Sequence, residues 1–261
     1  MESRINSSRP RTSPLFVGVG GGQFPSTRWS LVRAVSADDT LAATALAELC
    51  KTYWYPLYVF ARRTGLTAPD AEDATQGFLA RVIEKEMIAR AREELGTLRS
   101  FLLRGLKNYL ANERKARHRT KRGGGHLLVS LDADAIASAE RRYQFEPDTG
   151  TNDSPDQWFE RRWATTVLEN VFATLRDEYG QADKGALFDA LKPTLTSARG
   201  DSPTYAAIGD SFAMTEAAVK LVAFRMRQRF RDILREQVGQ TVQTEREVNE
   251  EILALFRAFA R

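Results

Sequence analysis

Apolar residues recur every three or four positions through most of this chain. The clearest members are Leu46, Leu49, Tyr53, Leu57 and Phe60 in one stretch, and Trp163, Val167, Val171 and Leu175 in another. A period near 3.6 places such residues along one face of an α-helix. No stretch of useful length alternates as a β-strand would. The sequence therefore predicts an all-α fold.

Changes in composition divide the 261 residues into five parts. The expected parts are a flexible leader at 1–26, a helical module at 27–119, a linker at 120–157, a second helical module at 158–238, and an amphipathic helix at 239–261. The linker is rich in Gly, Asp and Pro, so we expect it to be flexible, with one short helix near "DADAIASAERRY". The 43% hydrophobic content suffices for one large core or two small ones. We expect two helical modules, which a flexible linker would allow to contact separate sites on one partner molecule.

Several kinds of site and segment are not expected. No apolar run approaches the roughly 18 residues that span a bilayer, and "MESRINSSRPRTSPLF" lacks a secretory signal, so we expect a cytoplasmic protein that binds no membrane. One cysteine, Cys50, and two histidines give no set at metal-ligand spacing. The tract "GVGGGQ" lacks the last glycine of a dinucleotide fingerprint. No metal and no cofactor are expected.

The stretch "SFLLRGLKNYLANERKARHRTKR", residues 100–122, ends in a dense run of positive charge. Burying such a cluster is very unfavourable, so the sequence indicates that it faces solvent or a polyanion. Two interpretations stay open here: a solvated helix face, and a docking surface for nucleic acid. Asn108, Asn112 and Tyr109 supply amides and an aromatic ring of the kind that meets exposed bases.

The stretch "SPTYAAIGDSFAMTEAAVKLVAFRMRQRFRDILRE" has the layout of a helix-turn-helix. We expect a short helix over 205–209, a tight connection over 210–214, and a longer helix that Thr215 caps. The outer positions expected on the second helix are basic: Lys220, Arg225, Arg227, Arg229 and Arg231. DNA binding would place the N-terminal end of this helix, with Glu216, in the major groove. A helical hairpin with a charged face would give a similar pattern.

The stretch "TAPDAEDATQGFLARVIEK" is rich in acids. Asp70, Glu72, Asp73 and Gln76 crowd the first turns of an expected helix whose other side is apolar. Acids suit a helix N-terminus because they interact favourably with its dipole. A protein partner that offers basic side chains is the alternative interpretation.

Three of these stretches together resemble a known family. The run "DAEDATQGFLARV" resembles region 2.2 of bacterial RNA polymerase sigma factors of the extracytoplasmic-function type, and "FLLRGLKNYLANERKARH" resembles their regions 2.3 and 2.4. The run "YAAIGDSFAMTEAAVKLVAFRMRQRFRDIL" resembles region 4.2. Other pieces, among them "TRWSLV", "YWYPLYVFARR" and "FERRWATTVLENVFATLRDEYG", are similar to the long-linker sigma factors of planctomycete-type bacteria. The resemblance covers about residues 27–260.

The resemblance implies a subunit without catalysis of its own that directs core RNA polymerase to promoter DNA. By position it implies that core polymerase contacts Asp70, Glu72, Asp73 and Gln76. It implies that the melted minus-ten strand contacts Lys107, Asn108 and Asn112, with Arg114, Lys115 and Arg117 on the backbone. It implies that the minus-thirty-five element contacts Thr215, Glu216, Ala218, Lys220, Arg225 and Arg227. An anti-sigma factor or another regulator is a further expected partner.

Four positions depart from the family pattern, two of them, Ala217 and Phe224, in the expected recognition helix. Gly77 stands where an acid commonly follows the glutamine, so the acidic face is smaller than usual. Ala213 stands where a turn glycine is typical, and a left-handed backbone there would have a steric cost.

Two other classes of function compete with a sigma factor. A free-standing helix-turn-helix regulator would bind duplex DNA without polymerase, and it would usually dimerise, with the terminal helix as a suitable interface. An enzyme is disfavoured because the carboxylates lack a matched histidine, a serine nucleophile or a phosphate-binding loop. Strong, salt-sensitive binding to duplex DNA alone would favour the regulator.

Overall fold

The computed structural model describes residues 40–83, 97–119, 133–146, 153–196 and 202–260. Every regular element in these ranges is a helix, so the predicted all-α class is confirmed for them. The predicted leader at 1–26 and two pieces of the linker, 120–132 and 147–152, lie outside the described residues. None of the described helices combines the length and the apolar character that crossing a bilayer requires.

Local signals in the sequence account for where two of the longer helices begin. The helices are α1 Thr40–Arg63, α2 Ala68–Ile83, α3 Leu98–Arg119, α4 Ala133–Gln144, α5 Pro155–Gln181, α6 Gly185–Leu191, α7 Pro193–Thr196, α8 Tyr205–Ser211, α9 Glu216–Gly239 and α10 Glu245–Phe259. Ser154 and Gln157 form a capping box at the start of α5, and Thr244 and Glu247 form another at the start of α10. Each box satisfies backbone N–H groups that the helix itself leaves without acceptors.

Helix α5 is the central element of the core. It packs against α1 on one side and against α9 and α10 on others. Trp158, in its second turn, is 1% exposed, and the guanidinium of Arg63 from α1 lies 3.8 Å from its ring centroid. Further along α5, the rings of Phe172 and Phe230 are 5.1 Å apart, which joins α5 to α9. Side chains from both halves of the chain therefore belong to one core.

The structure differs here from the prediction of two modules on a flexible linker. The expected short helix is present as α4, but it lies against α1. Glu140 accepts hydrogen bonds from Tyr58 and from Arg62, the latter through two nitrogens at 3.1 Å. Glu146 accepts one from the Tyr55 hydroxyl. The segment is polar, as its composition indicates. Its carboxylates accept hydrogen bonds from donors on α1, about 80 residues away in sequence, and local composition does not reveal such distant partners.

Helix α10 is fixed to α3 through a buried ionic cluster. Arg99 of α3 donates to both carboxylate oxygens of Glu251 at 2.7 and 2.8 Å, and it also pairs with Glu160 of α5. Glu251 is 3% exposed, and the guanidinium of Arg99 lies 4.6 Å from the ring centroid of Trp163. The backbone N–H of Leu98 donates to the carbonyl of Thr241, just before α10. The terminal helix is therefore part of the core.

Candidate nucleic-acid interface

Helices α8 and α9 form a tight pair joined by a short turn. Thr204 caps α8 by accepting from the Ala207 N–H at 3.2 Å. Thr215 caps α9 by accepting from the Ala218 N–H at 3.2 Å. The predicted cap at Thr215 is therefore confirmed, and Ala218 contributes its backbone to it.

The turn between these helices requires two unusual backbone features. The N–H of Met214 donates to the carbonyl of Gly209 at 2.9 Å, and a Cβ added at residue 209 would lie 2.5 Å from the Met214 carbonyl oxygen. Only glycine fits that approach. Ala213 has φ of 51°, the left-handed conformation that the sequence predicted to have a steric cost.

Replacing Ala213 with glycine is expected to raise the free energy of unfolding by about 0.5–1 kcal/mol. Glycine removes a left-handed penalty of about 1–2 kcal/mol and adds about 0.5–1 kcal/mol of unfolded-state entropy. Urea denaturation measures the change. Ala217→Gly, on the exposed first turn of α9, is the control and should be destabilising by up to about 1 kcal/mol. If Ala213→Gly instead lowers the free energy of unfolding, the relief of the left-handed penalty does not exceed the entropy cost of glycine.

The N-terminal half of α9 presents a mixed charged and apolar outer face. Lys220 and Glu216 are exposed and form an ion pair at 2.6 Å between adjacent turns. Arg225 is exposed and has no ion-pair partner among the described residues. Leu221 and Phe224 are 48% and 55% exposed between these charges. The face therefore combines charged hydrogen-bonding groups with apolar surface.

Other basic residues of α9 are occupied by contacts within the protein. Arg227 is half-buried and donates to the hydroxyl of Tyr205 on α8. Arg229 donates to both oxygens of Glu178 on α5 at 2.6–3.1 Å, and these hydrogen bonds lower the pKa of that carboxyl. Both arginines hold α9 against its neighbours. The structure thus separates them from Lys220 and Arg225, with which the sequence grouped them.

Helix α3 exposes most of the residues predicted to contact a melted strand. Asn108, Asn112 and Lys115 are exposed. The ammonium of Lys107 lies 2.6 Å from a carboxylate oxygen of Asp156 on α5, with both side chains close to half exposed. Arg114 donates to the Thr64 carbonyl at 3.3 Å. The backbone of Arg117 belongs to α3, but its side chain lies outside the described residues.

The prediction that Tyr109 meets bases is wrong. Tyr109 is 7% exposed, and its ring lies 6.0 Å from that of Phe78 on α2. A Cβ added at Gly77 would lie 2.7 Å from the Tyr109 hydroxyl oxygen. The close approach of α2 and α3 therefore explains the glycine at position 77. Helical spacing puts Tyr109 on the same apolar face as Leu102 and Leu106, and that face is buried.

The acidic residues of α2 have different environments. Asp70 accepts a hydrogen bond from the Thr67 hydroxyl at 2.7 Å, at the start of the helix. The amide of Gln76 donates to Glu72 at 3.2 Å, and Gln76 is 8% exposed. Asp73 is exposed. The surface available to a partner is therefore formed by the three carboxylates, while Gln76 supports Glu72 from within.

The three residue sets lie on three helices, α2, α3 and α9, of which α2 and α3 pack together. No signal in the sequence marks Asp156, Glu178 and Tyr205 as the residues that pair with Lys107 and Arg229 and accept from Arg227, respectively. Across the described ranges, no group of His, Cys, Asp and Glu has the arrangement of a metal site. No protein-family model, curated protein or solved structure matches this chain.

Proposed function

We propose that this protein is a sigma factor, which directs core RNA polymerase to promoters and initiates transcription. The observation that carries the proposal is the capped α8–α9 pair, whose second helix exposes Glu216, Lys220 and Arg225 along its first turns. The acids of α2 and the amides of α3 support it, because both remain accessible on a different part of the same core.

Helix α9 is proposed to bind the minus-thirty-five element. A helix of this kind enters the major groove by its N-terminal end, where side chains reach base edges. Lys220 and Glu216 would have to separate to contact bases. Their side chains are 58% and 52% exposed, so breaking the ion pair costs at most about 1 kcal/mol of free energy. Arg225, two turns from the start, is suited to a phosphate.

Helix α3 is proposed to bind the melted minus-ten strand. Asn108 and Asn112 are four residues apart, so their exposed amides lie on one side of the helix. Amides at this spacing can hydrogen-bond successive unpaired bases, while Arg114 and Lys115 attract the backbone. Lys107 is available to the strand only when its ion pair with Asp156 opens.

The acidic face of α2 is proposed to bind core polymerase. Asp70, Glu72 and Asp73 carry three negative charges near the helix start, and such a face repels DNA. A partner with basic side chains supplies the complementary potential.

Co-elution with core RNA polymerase on gel filtration tests the proposal. The wild type is expected to co-elute, and the variant with Asp70, Glu72 and Asp73 changed to Ala is expected to lose the complex. The matched control changes three exposed acids elsewhere, Asp177, Asp232 and Glu250, to Ala and should keep it. If neither the wild type nor the control co-elutes while the wild type shifts duplex DNA alone, the proposal fails.

The two arginines Arg225 and Arg229 are expected to differ in their contribution to promoter binding. If Arg225 contacts a phosphate, Arg225→Gln makes the negative slope of log affinity against log salt shallower by about 0.9. Arg229→Gln should leave the slope unchanged because Glu178 already neutralises that charge. Fluorescence anisotropy of promoter DNA with the polymerase complex, over a series of salt concentrations, measures both. Equal slopes for the two variants would contradict the assigned roles.

A free-standing DNA-binding regulator is the alternative function. The observation that favours it is the outer side of α10, where Leu253, Phe256 and Phe259 are 53%, 54% and 46% exposed. Such a stripe fits a dimer interface, which a regulator of this type uses to bind two half-sites. Sedimentation equilibrium distinguishes the two: a dimer that binds duplex DNA tightly without polymerase supports the regulator.

A further inference from the structure

A cavity of about 400 Å³ lies between the end of α5, the start of α6, the turn that precedes α9 and the N-terminal half of α9. Its main lining residues are Tyr179, Lys184, Leu187, Met214, Val222 and Arg225. Neither the sigma-factor proposal nor the DNA-contact set accounts for it. Its volume lies within the range of about 300–1,000 Å³ that small-molecule sites occupy.

The floor of this cavity is apolar. Leu187 is 7% exposed, and Met214 and Val222 are half-buried beside it. The ring of Tyr179 packs at 5.8 Å from Phe188, and burial raises the pKa of the Tyr179 hydroxyl above its ordinary value. A neutral aromatic ring and three aliphatic or thioether side chains therefore provide a surface for an apolar body.

The rim of the cavity is positively charged. Glu178 lies there, but two nitrogens of Arg229 bind its carboxylate at 2.6–3.1 Å, so its charge is compensated. Lys184 and Arg225 are exposed, and neither side chain has an ion-pair partner in the part of the chain that the structure describes. Two cations therefore remain above an apolar floor.

The turns on both sides of the cavity hold unusual backbone conformations. Asp183 has φ of 55° and Ala213 has φ of 51°, and they are the non-glycine residues with positive φ among the described ranges. Asp183 directly precedes Lys184, and Ala213 directly precedes Met214. Asp183 follows the C-cap of α5, and the Lys184 N–H donates to the Tyr179 carbonyl at 2.8 Å, so the left-handed backbone ends that helix and positions Lys184.

We propose that this cavity binds a small organic anion with an apolar body, which packs on Leu187, Met214 and Val222 while Lys184 and Arg225 hold its charge. The two cations would bind a carboxylate, a sulfonate or a phosphate, and the apolar residues would contact the aromatic or alkyl group attached to it. Because Lys184 precedes α6 and Arg225 belongs to α9, one bound anion contacts both elements.

One consequence rests on the proposed function. Arg225 belongs both to this cavity and to the residues proposed to contact promoter DNA. A ligand that occupies Arg225 competes with the phosphate backbone, so the cavity would couple promoter binding to the concentration of the anion. The binding test that follows uses no DNA, so its failure is distinguishable from failure of the sigma-factor proposal.

The test compares two fluorescent probes with nearly the same apolar body, anilinonaphthalene sulfonate and the uncharged N-phenylnaphthylamine. The full chain is expected to bind the sulfonate more tightly than the neutral probe. The double variant Lys184→Gln with Arg225→Gln is expected to bind the sulfonate about tenfold more weakly and the neutral probe equally well. The control Arg141→Gln with Arg231→Gln removes two exposed charges elsewhere and should bind both probes like the wild type.

The methyl signal of Met214 shows where the probe binds. In protein with labelled methionine methyl groups, the sulfonate is expected to shift the Met214 signal and to leave that of Met226, which is 0% exposed, unchanged. Displacement by decanoate or by decyl phosphate then shows whether the site prefers a carboxylate or a phosphate. The proposal is overturned if the sulfonate does not bind, if the double variant binds it within twofold of wild type, if the Met214 signal stays in place, or if neither competitor displaces it.

Discussion

Replacing Arg99 with alanine is expected to lower the free energy of unfolding by about 3–5 kcal/mol at neutral pH. The side chains of Arg99 and Glu251 are both buried, with exposed fractions of 13% and 4%. Removing the arginine leaves the carboxylates of Glu251 and Glu160 near each other without their cation. The loss of one member of a buried ion pair costs about this much because the remaining charge stays unsolvated.

This loss should depend on pH in a defined direction. Burial raises the pKa of Glu160, while the positive charge of Arg99 lowers it. Without Arg99, the pKa of Glu160 in the folded state rises further above its unfolded value of about 4.3. A group with a raised folded-state pKa gives stability below the unfolded pKa and loses it as pH rises through the folded pKa. The deficit of the variant should therefore be larger at pH 7 than near pH 4.

Chemical denaturation at both pH values measures the effect. Arg176→Ala is the control, because its ion pair with Asp189 is exposed and 3.6 Å long, and it should change stability by less than about 1 kcal/mol. Adding Glu160→Gln and Glu251→Gln to Arg99→Ala should recover part of the loss, since none of the three charges of this cluster then remains. Equal losses for Arg99→Ala and Arg176→Ala would show that the cluster does not join α3 to α10.

Replacing Trp158 with alanine is expected to cost about 3–5 kcal/mol and to loosen both halves of the chain together. Trp158 is 1% exposed on α5 and contacts Arg63 of α1, so its removal leaves a large cavity at the junction of the two halves. A cavity of this kind destabilises by the lost transfer free energy and by the lost packing. Because α5 also packs against α9 and α10, the effect should spread beyond α1.

Hydrogen exchange followed by mass spectrometry measures this coupling. Amides of α1 and of α9 should lose protection by a similar free energy in the variant. Phe145→Ala is the matched control, because Phe145 is 81% exposed and should change stability by no more than about 0.5 kcal/mol. If α9 keeps its full protection while α1 and α5 lose theirs, the two halves are independent modules, as composition alone suggested.

Much of the secondary structure could be predicted from the sequence. The cap at Thr215 and the helix within the linker both follow from residues within a few positions of each other. Such signals are local, because a cap joins groups three residues apart and helical periodicity acts over one or two turns. The left-handed backbone at 213 was anticipated from the family resemblance, in which a turn glycine is typical of that position.

The intramolecular partners of the candidate site residues could not be predicted from such local signals. Arg227, Arg229 and Arg225 have the same residue type within five positions, yet Tyr205 engages the first, Glu178 engages the second, and the third faces the cavity. Glu178 lies 51 positions from Arg229. The helical pattern shows which side of α9 is apolar, but not which neighbour lies beside its polar flanks.

The sequence by itself determined that the described residues are helical, where α8 and α9 begin, and which residues carry the acidic, amide and basic groups. The tertiary structure alone decided that α5 unites the two halves, that Lys107 is paired with Asp156, and that Glu251 closes on Arg99 from 152 positions away. The physical reason is the range of the forces involved. Backbone hydrogen bonds act between near neighbours in sequence, whereas burial and ion pairing depend on which surfaces meet in the folded state.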